Sequence, residues 1–594
     1  MPAKLISPNF AQSRSSHRPV IRGTNGMVVS GHHLATQAGV RILEKGGNAI
    51  DAGVAAGICL GVLQSDMVNF AGVAPIMMYL ADSNETKTIS GLGPWPKAAS
   101  VDYFVENLGG DIPEGIERTV VPAAPDAWIQ ALRLYGTMSF EEVTRDAIHW
   151  AEYGFPMHQF MSNNVKEKFG SYKRWPSSAE IYLPKGRPPE PGEIFVQRDL
   201  AETIKKMVRA ERKRKFCGRD EALKAARDEF YKGEIAEAIL DFQRKNDGLL
   251  QRDDLENFQS AAEKPLKVTY KGFEIYGCRP WCQGPVLLQV LNLLEGFNLK
   301  TLGHNTREYI HLISEALDLV YSDREKFYGD PDFVDVPIIG LLSKKYAETR
   351  RGLIDMDKAW VEMPPAGDPW IWQGSKRKHP GEVNLKKLDS SAKPGKSDKS
   401  WDTSYVCVVD KYGNAFSATP SDESSTTPIT PQTGLAVSSR GSQSWVDHNH
   451  PSCVQGGKRP RLTPTPSMVF RKGKLFMPFG TPGGDVQCQA MLQVFLNVVE
   501  FGMDPQEAVE ASRFATFNFP NSFFPHDYHP GLLKVERRID DSTLSQLREK
   551  GHRAEWWPEW AWKAGAVCAI VVDSVNGVLL GAADPRRESY ALGW

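Results

Sequence analysis

The stretch Trp401–Asp410, WDTSYVCVVD, limits what this chain can become more than any other. Residues 404 to 409 are aromatic, β-branched and apolar, the pattern of a buried strand. Asp410-Lys411-Tyr412-Gly413-Asn414 supplies a turn, and residues 415 to 419 a returning strand. The hairpin puts Thr403 at the open end of its first strand, where a hydroxyl can face a cleft. Upstream, Ser390 to Ser400 is rich in Lys, Ser, Pro and Gly and reads as loose chain. A loose run feeding a core strand makes sense if the chain is cut before Thr403. That residue would then carry a nucleophilic hydroxyl and, on its new amine, the base that activates it. Taken alone, the stretch also fits an ordinary threonine at a strand start.

With 594 residues the chain can bury a large core, and its length suggests more than one domain. It is 41% hydrophobic and 24% charged, values of a soluble globular protein. The net charge of −1 gives no general pull toward nucleic acid or an anionic membrane. The basic run Lys205–Arg219 is broken by Glu211 and reads as a solvated helix face. Eight cysteines are scattered without a zinc spacing, and Cys278-x-x-x-Cys282 stands alone. Cys59, Cys407 and Cys568 sit in apolar runs, as small buried hydrophobes do. Residues 1–24 are polar, with no apolar core of a signal peptide, and no segment has the length of a membrane span. A reducing, cytoplasmic location is expected.

Along the chain, helices are expected at His33–Glu44 and, rich in small residues, at Ala49–Gln64. Strands are expected at 26–29, 73–81 and 87–90, and as hairpins around Lys271-Gly272, Lys472-Gly473 and Asn576-Gly577. Further helices are expected at 141–153, 200–214, 285–294, 309–324, 487–501, 505–514 and 542–550. Residues 356–399 read as a linker. The order of elements suggests layers of sheet and helix in one entwined body, its halves sharing sheets.

Several motifs now stand in one order. They are Gly46-Gly47-Asn48-Ala49-Ile50-Asp51-Ala52, Asp323-Arg324 with Gly329-Asp330-Pro331, and Asp402-Thr403 with Asp410-x-x-Gly413-Asn414. Gly457-Lys458-Arg459-Pro460-Arg461, Pro482-Gly483-Gly484 and Asp584-Pro585-Arg586-Arg587 with Tyr590-Ala591-Leu592-Gly593 complete the set. Together, over nearly the whole chain, they resemble the γ-glutamyltranspeptidase family of N-terminal-nucleophile hydrolases. The resemblance implies an α+β fold, a four-layer αββα sandwich built from one precursor. It also implies self-cleavage between Asp402 and Thr403 into a large fragment, 1–402, and a small one, 403–594. These would form an α/β heterodimer, alone or as a dimer of such pairs.

The resemblance makes Thr403 the nucleophile of an acyl-enzyme. A free α-amine has a pKa near ~8, so part of it is neutral near pH 7 and can accept the hydroxyl proton. Gly483 and Gly484 suit an oxyanion hole, because glycines let backbone N–H groups approach without a Cβ in the way. They equally suit a strand-to-helix turn. Ser421 could bond the nucleophile or belong to the Ser/Thr-rich loop that runs to Thr427. The family's glutamyl clamp is missing: 90–94 reads Ser-Gly-Leu-Gly-Pro without its Arg, Ser442 or Gln443 stands where an Asp is expected, and Thr463-Pro464 replaces a Ser pair. Ser404 follows the nucleophile in place of a Thr, and the glycine-rich turn is thinned to Ala71-Gly72-Val73-Ala74. Residues 438–443 and Asp485-x-Gln487 resemble the branch that includes oxamate amidohydrolase-type acylases. Arg440, Gln443 and Thr463 are therefore candidate substrate residues, with Arg440 holding a carboxylate or serving as a turn Arg. Arg459 and Arg461 read as structural. His448 and His450 have a metal-like look, but their Asn and Pro neighbours favour a turn. No metal or cofactor is expected.

The expectation is a self-processing amidohydrolase acting on a small-molecule amide, with no nucleic-acid or membrane partner. One alternative is a γ-glutamyltransferase or glutathione hydrolase with a rebuilt pocket. Another, of a different class, is an unprocessed binding protein.

Overall fold

The computed structural model describes residues 16–374 and 402–594. The hairpin that follows Thr403, Val406–Asp410 and Ala415–Ala418, is the middle of a seven-stranded sheet. Val406–Asp410 pairs antiparallel with Gly26–Ser30, and Ala415–Ala418 with Ile76–Leu80. Tyr590–Gly593 closes one edge of this sheet. The second seven-stranded sheet sets three hairpins side by side, Leu266–Tyr270 with Phe273–Gly277, Ser467–Arg471 with Lys474–Gly480 and Cys568–Asp573 with Val578–Ala583, and Ile21–Gly23 pairs at the far edge. Each sheet draws strands from both sides of Thr403, as the shared-sheet expectation requires. The fold is α+β.

Alternation along the strands sorts the side chains. Cys407 and Val409 point one way and join Met27, Val29 and Met77 in a cluster with Met468, Phe470, Cys568 and Ile570 of the other sheet. Val406, Val408 and Phe416 point the other way, into a helical cluster. Val469, Met477 and Phe479 of the second sheet face a different set of helices, with Val286, Leu312 and Phe495.

The helix Ala49–Leu63 lies directly on the hairpin. An added Cβ at Gly53 would sit 2.1 Å from the Phe416 ring, and one at Gly57 2.6 Å from Trp128. A larger residue at either position would cost on the order of 1–3 kcal/mol through overpacking. Asp410 ties two motifs together. One carboxylate oxygen accepts from the Tyr412 and Asn414 N–H groups, the other from the Ala49 N–H at the helix start.

Most expected elements are present within a few residues of their expected ends. The expected helix 505–514 instead stops at Glu510, and Phe514–Thr516 is a strand. The region between residues 100 and 260 holds helices beyond the two expected there, including Ala124–Tyr135, Arg219–Tyr231 and Glu234–Lys245. The expected linker 356–399 needs correction in its first part. The Ala359 N–H donates to the Lys550 carbonyl, Gly367 N–H to Asp323, and Pro369–Trp372 forms a 3-10 turn. These contacts satisfy the backbone, so the segment is docked; residues 375–399 lie outside the described residues. All eight cysteines are free. Among the described residues no helix is long and apolar enough to cross a membrane.

Candidate active site

Thr403 is buried at the start of the central strand. Its N–H donates to the Met67 carbonyl at 3.0 Å, and its carbonyl accepts from Arg587 Nη1 at 3.1 Å. These two contacts hold its backbone at φ +88°. A β-branched residue rarely adopts that region, and doing so costs on the order of 1–3 kcal/mol. The strained torsion runs through the Asp402–Thr403 bond.

The hydroxyl has two partners. Thr403 Oγ1 donates to Asp402 Oδ1 at 3.0 Å and lies 2.6 Å from Ser421 Oγ. With its one proton committed to a carboxylate, Thr403 receives the Ser421 proton. Ser421 in turn accepts from Arg440 Nη2, and the same Nη2 donates to Asp402 Oδ2. The thinned turn 71–74 positions Ser421. Val73 and Ser421 exchange both backbone hydrogen bonds, and a Cβ on Gly72 would come within 2.4 Å of the Ser421 carbonyl.

Arg440 is buried and lies 5.4 Å from the Phe523 ring centre. Asp422, at φ +114°, sits 3.6 Å from its Nε and accepts from Ser438 and Ser439. Burial pushes the Asp422 carboxyl up, while Arg440 and the two serines pull it back. Arg440 Nε and Nη1 are buried and have no acceptor among the described residues. The expected substrate Arg is thus engaged with Asp402, on the far side of the bond before Thr403, in the uncut chain.

A narrow crevice beside Thr403, of about 10 Å³, is lined among others by Gly31, Met67, Phe160, Pro482 and Arg587. Gly483 and Gly484 follow Pro482 at φ +128° and +53°. They line a neighbouring cavity with Phe523, the ring beneath Arg440. Among the described residues neither glycine N–H donates to a backbone carbonyl. Gln443 and Thr463 are buried and bonded to each other at 3.0 Å. Hydrogen bonds join Thr403, Asp402, Ser421 and Arg440, while Gln443 and Thr463 bond each other instead.

Sequence reading gave Arg587 no role. It is fully buried between Phe160 and Trp562, and burial lowers its guanidinium to about 10 against the pull of Asp402. The signal was the Asp-Pro-Arg-Arg motif itself, which carries no chemistry at its own spacing. Arg459 pairs with Asp330 and Arg461 with Glu325, in the structural role expected of them, and Arg324 pairs with Asp485. His448 and His450 part company. The first is exposed at Asp102, 2.8 Å away, and the second is stacked on Trp445.

The family model described as Gamma-glutamyltranspeptidase matches residues 35–594. The chain belongs to this family. Its curated relatives include glutathione hydrolases, acylases and an oxamate amidohydrolase. The Bacillus subtilis (strain 168) glutathione hydrolase proenzyme is 30% identical over 590 residues, covering 98% of this chain and 94% of that one. The Acylase ACY 1 proenzyme of Pseudomonas sp. (strain SE83) is also 30% identical, over 607 residues, covering 99% and 97%. The crystal structure of cephalosporin acylase from Bacillus halodurans superposes with a TM-score of 0.83 at 26% identity, covering 99% of each chain. Like these relatives the chain is an enzyme of the N-terminal-nucleophile hydrolase type.

Proposed function

We propose that the chain cuts itself before Thr403 and then hydrolyses a small amide through an acyl-enzyme on that residue. The observation that carries this reading is the Thr403 hydroxyl, bonded to both Asp402 and Ser421 on a strained backbone. Oγ1 attacks the Asp402 carbonyl carbon, its proton passing to the Asp402 carboxylate. The Asp402 carboxyl passes that proton to the Thr403 nitrogen, the C–N bond breaks with the nitrogen leaving as an amine, and water opens the ester. The strained φ torsion includes the Asp402 carbonyl carbon, so the cut removes it altogether. In turnover the freed amine, held at the Met67 carbonyl, accepts the hydroxyl proton as Oγ1 attacks the substrate amide. The same proton goes to the leaving amine, and water releases the acid. The Gly483 and Gly484 N–H groups supply donors for the oxyanion, worth ~3 kcal/mol or more.

The sheet pair and its three clusters fit an αββα sandwich, with fragments 1–402 and 403–594 as a heterodimer. The acyl part of the substrate carries an acidic group. Arg440 binds it where the Asp402 carboxylate sits before the cut, through the Nη2 that Asp402 then vacates. Eight free cysteines support a reducing, cytoplasmic setting. A γ-glutamyl donor is the second reading, favoured by the glutathione hydrolase relative. Ammonia release from small carboxylated amides, compared with release from γ-glutamyl-p-nitroanilide, separates the two. Faster turnover of the anilide would favour the second.

A further inference from the structure

Far from Thr403, the helix Arg307–Phe327 carries His311 and Glu315 one turn apart on one face. His552 reaches them from the turn between the helix Asp541–Glu549 and the strand Arg553–Trp557. One ligand atom from each of the three lies within 4.8 Å of the others, and all three residues are buried. His311 Nδ1 and His552 Nε2 are 2.8 Å apart. His311 Nε2 lies 2.8 Å from the Asp355 carbonyl, which can only accept, so the proton is on Nε2, and Nδ1 accepts from His552 Nε2–H until an ion takes that lone pair and the His552 proton moves to its Nδ1. A second-sphere carbonyl that fixes the tautomer is what a metal-bound imidazole requires. The two Glu315 oxygens share one donor, the Trp360 N–H, at 3.2 and 3.3 Å. With a single shared donor, the Glu315 carboxyl oxygens have lone pairs left for a further partner.

We infer that His311, Glu315 and His552 form a binding site for a divalent transition-metal ion, zinc being the ion whose ligand set matches. Zinc holds imidazole nitrogens and carboxylate oxygens at ~2.0–2.2 Å, which separates neighbouring ligand atoms by roughly 3.3 Å. The two nitrogens would open by about 0.5 Å from their hydrogen-bond distance. The charged groups around the site are Asp318, already bonded by Thr516 and Asn518, together with Asp355, Asp357 and Lys550. The Lys550 ammonium is turned to the Met356 carbonyl and toward Asp357.

His311 and Glu315 precede the proposed cut and His552 follows it. Asp355 and Trp360, which buttress two of the ligands, belong to the docked segment before residue 375. The ion therefore clamps the two fragments and the tail of the first. This clamp role rests on cleavage before Thr403; the binding of the ion does not.

The test uses EDTA-washed full-length protein incubated with ZnCl₂ or CoCl₂, then desalted. The wild type and the uncut Thr403→Ala chain should each retain one equivalent of zinc, and cobalt should give the intense visible absorption of a four-coordinate site. Glu315→Gln should bind at least ten-fold more weakly and His552→Gln should lose the ion, both keeping amide turnover. In the cut wild type EDTA should lower the thermal midpoint, with no such effect in His552→Gln. Equal zinc retention by wild type and variants overturns the site. So does wild type without the cobalt bands, which needs no variant to fold. A wild-type chain that stays uncut but binds one equivalent defeats the clamp and leaves the site standing.

Discussion

The Arg440 guanidinium grips the carboxylate of Asp402, the residue on the other side of the bond that Thr403 is placed to cut. Both side chains are buried. Removing one partner leaves the other charge unpaired in the interior, at a cost of about 3–5 kcal/mol. Arg440→Met should therefore lower the denaturant midpoint and slow cleavage together. Arg440→Lys keeps the charge but on a shorter side chain, whose nitrogen falls short of the Nη2 position that serves both Asp402 and Ser421, so cleavage should slow while stability is better kept. Both rates are read from the appearance of the small fragment on denaturing gels. Cleavage at the wild-type rate in Arg440→Met would mean that the pair has no part in the cut.

In the proposed mechanism Asp402 accepts the Thr403 hydroxyl proton during the cut, and the Thr403 amine accepts it during turnover. Asp402→Asn should slow cleavage by ~10²-fold or more, the usual range for loss of a general base. Once cut, however slowly, the variant should turn substrate over within about three-fold of wild type, because the amine has replaced the carboxylate. Single-turnover cleavage and steady-state kcat on the purified cut form give the two numbers. An equal fall in both would remove the division of labour.

The hairpin, the small-residue helix and the family were legible because each is written in contiguous residues. Gly53 and Gly57 announce close packing, and Asp402-Thr403 is a local motif. Arg440 was legible as a candidate but not in its engagement with Asp402, which lies 38 residues away in sequence. Arg587 was invisible for the same reason: its contact with Thr403 spans 184 positions and is made only when Tyr590–Gly593 closes the central sheet. The docked part of 356–374 misled because Pro, Asp and Met look like linker when their partners, Lys550 and Asp323, are on other elements. Gln443 and Thr463 were chosen by position in a motif, and burial against each other was not readable from it.

Gly483 adopts φ +128°, a region that side chains rarely enter. Gly483→Ala should rotate the N–H groups of the turn away from the developing oxyanion. The expected loss is ~10²–10³ in kcat with little change in KM. Steady-state kinetics on the cut enzyme would decide, and an unchanged kcat would assign the turn to structure alone.

Acid should loosen the fold through two imidazoles stacked on Trp445. Burial lowers His450 to about 3 and His526 to about 4. Both are neutral in the folded and unfolded chain above pH ~6.5, and there they contribute no pH dependence. Below that, the unfolded chain binds protons that the folded chain refuses. Stability then falls as pH drops toward about 4, by ~1.4 kcal/mol per pH unit for each ring. Urea midpoints at pH 7, 6 and 5 should decline, and His450→Gln should flatten the decline.

The intact mass of the purified chain after incubation in neutral buffer tests the central claim most directly. Wild type should separate into two species, the smaller beginning at Thr403 and ending at Trp594, while Thr403→Ala stays whole and inactive. A wild-type chain that remains whole, or a Thr403→Ala chain cut at the same bond, would contradict the account.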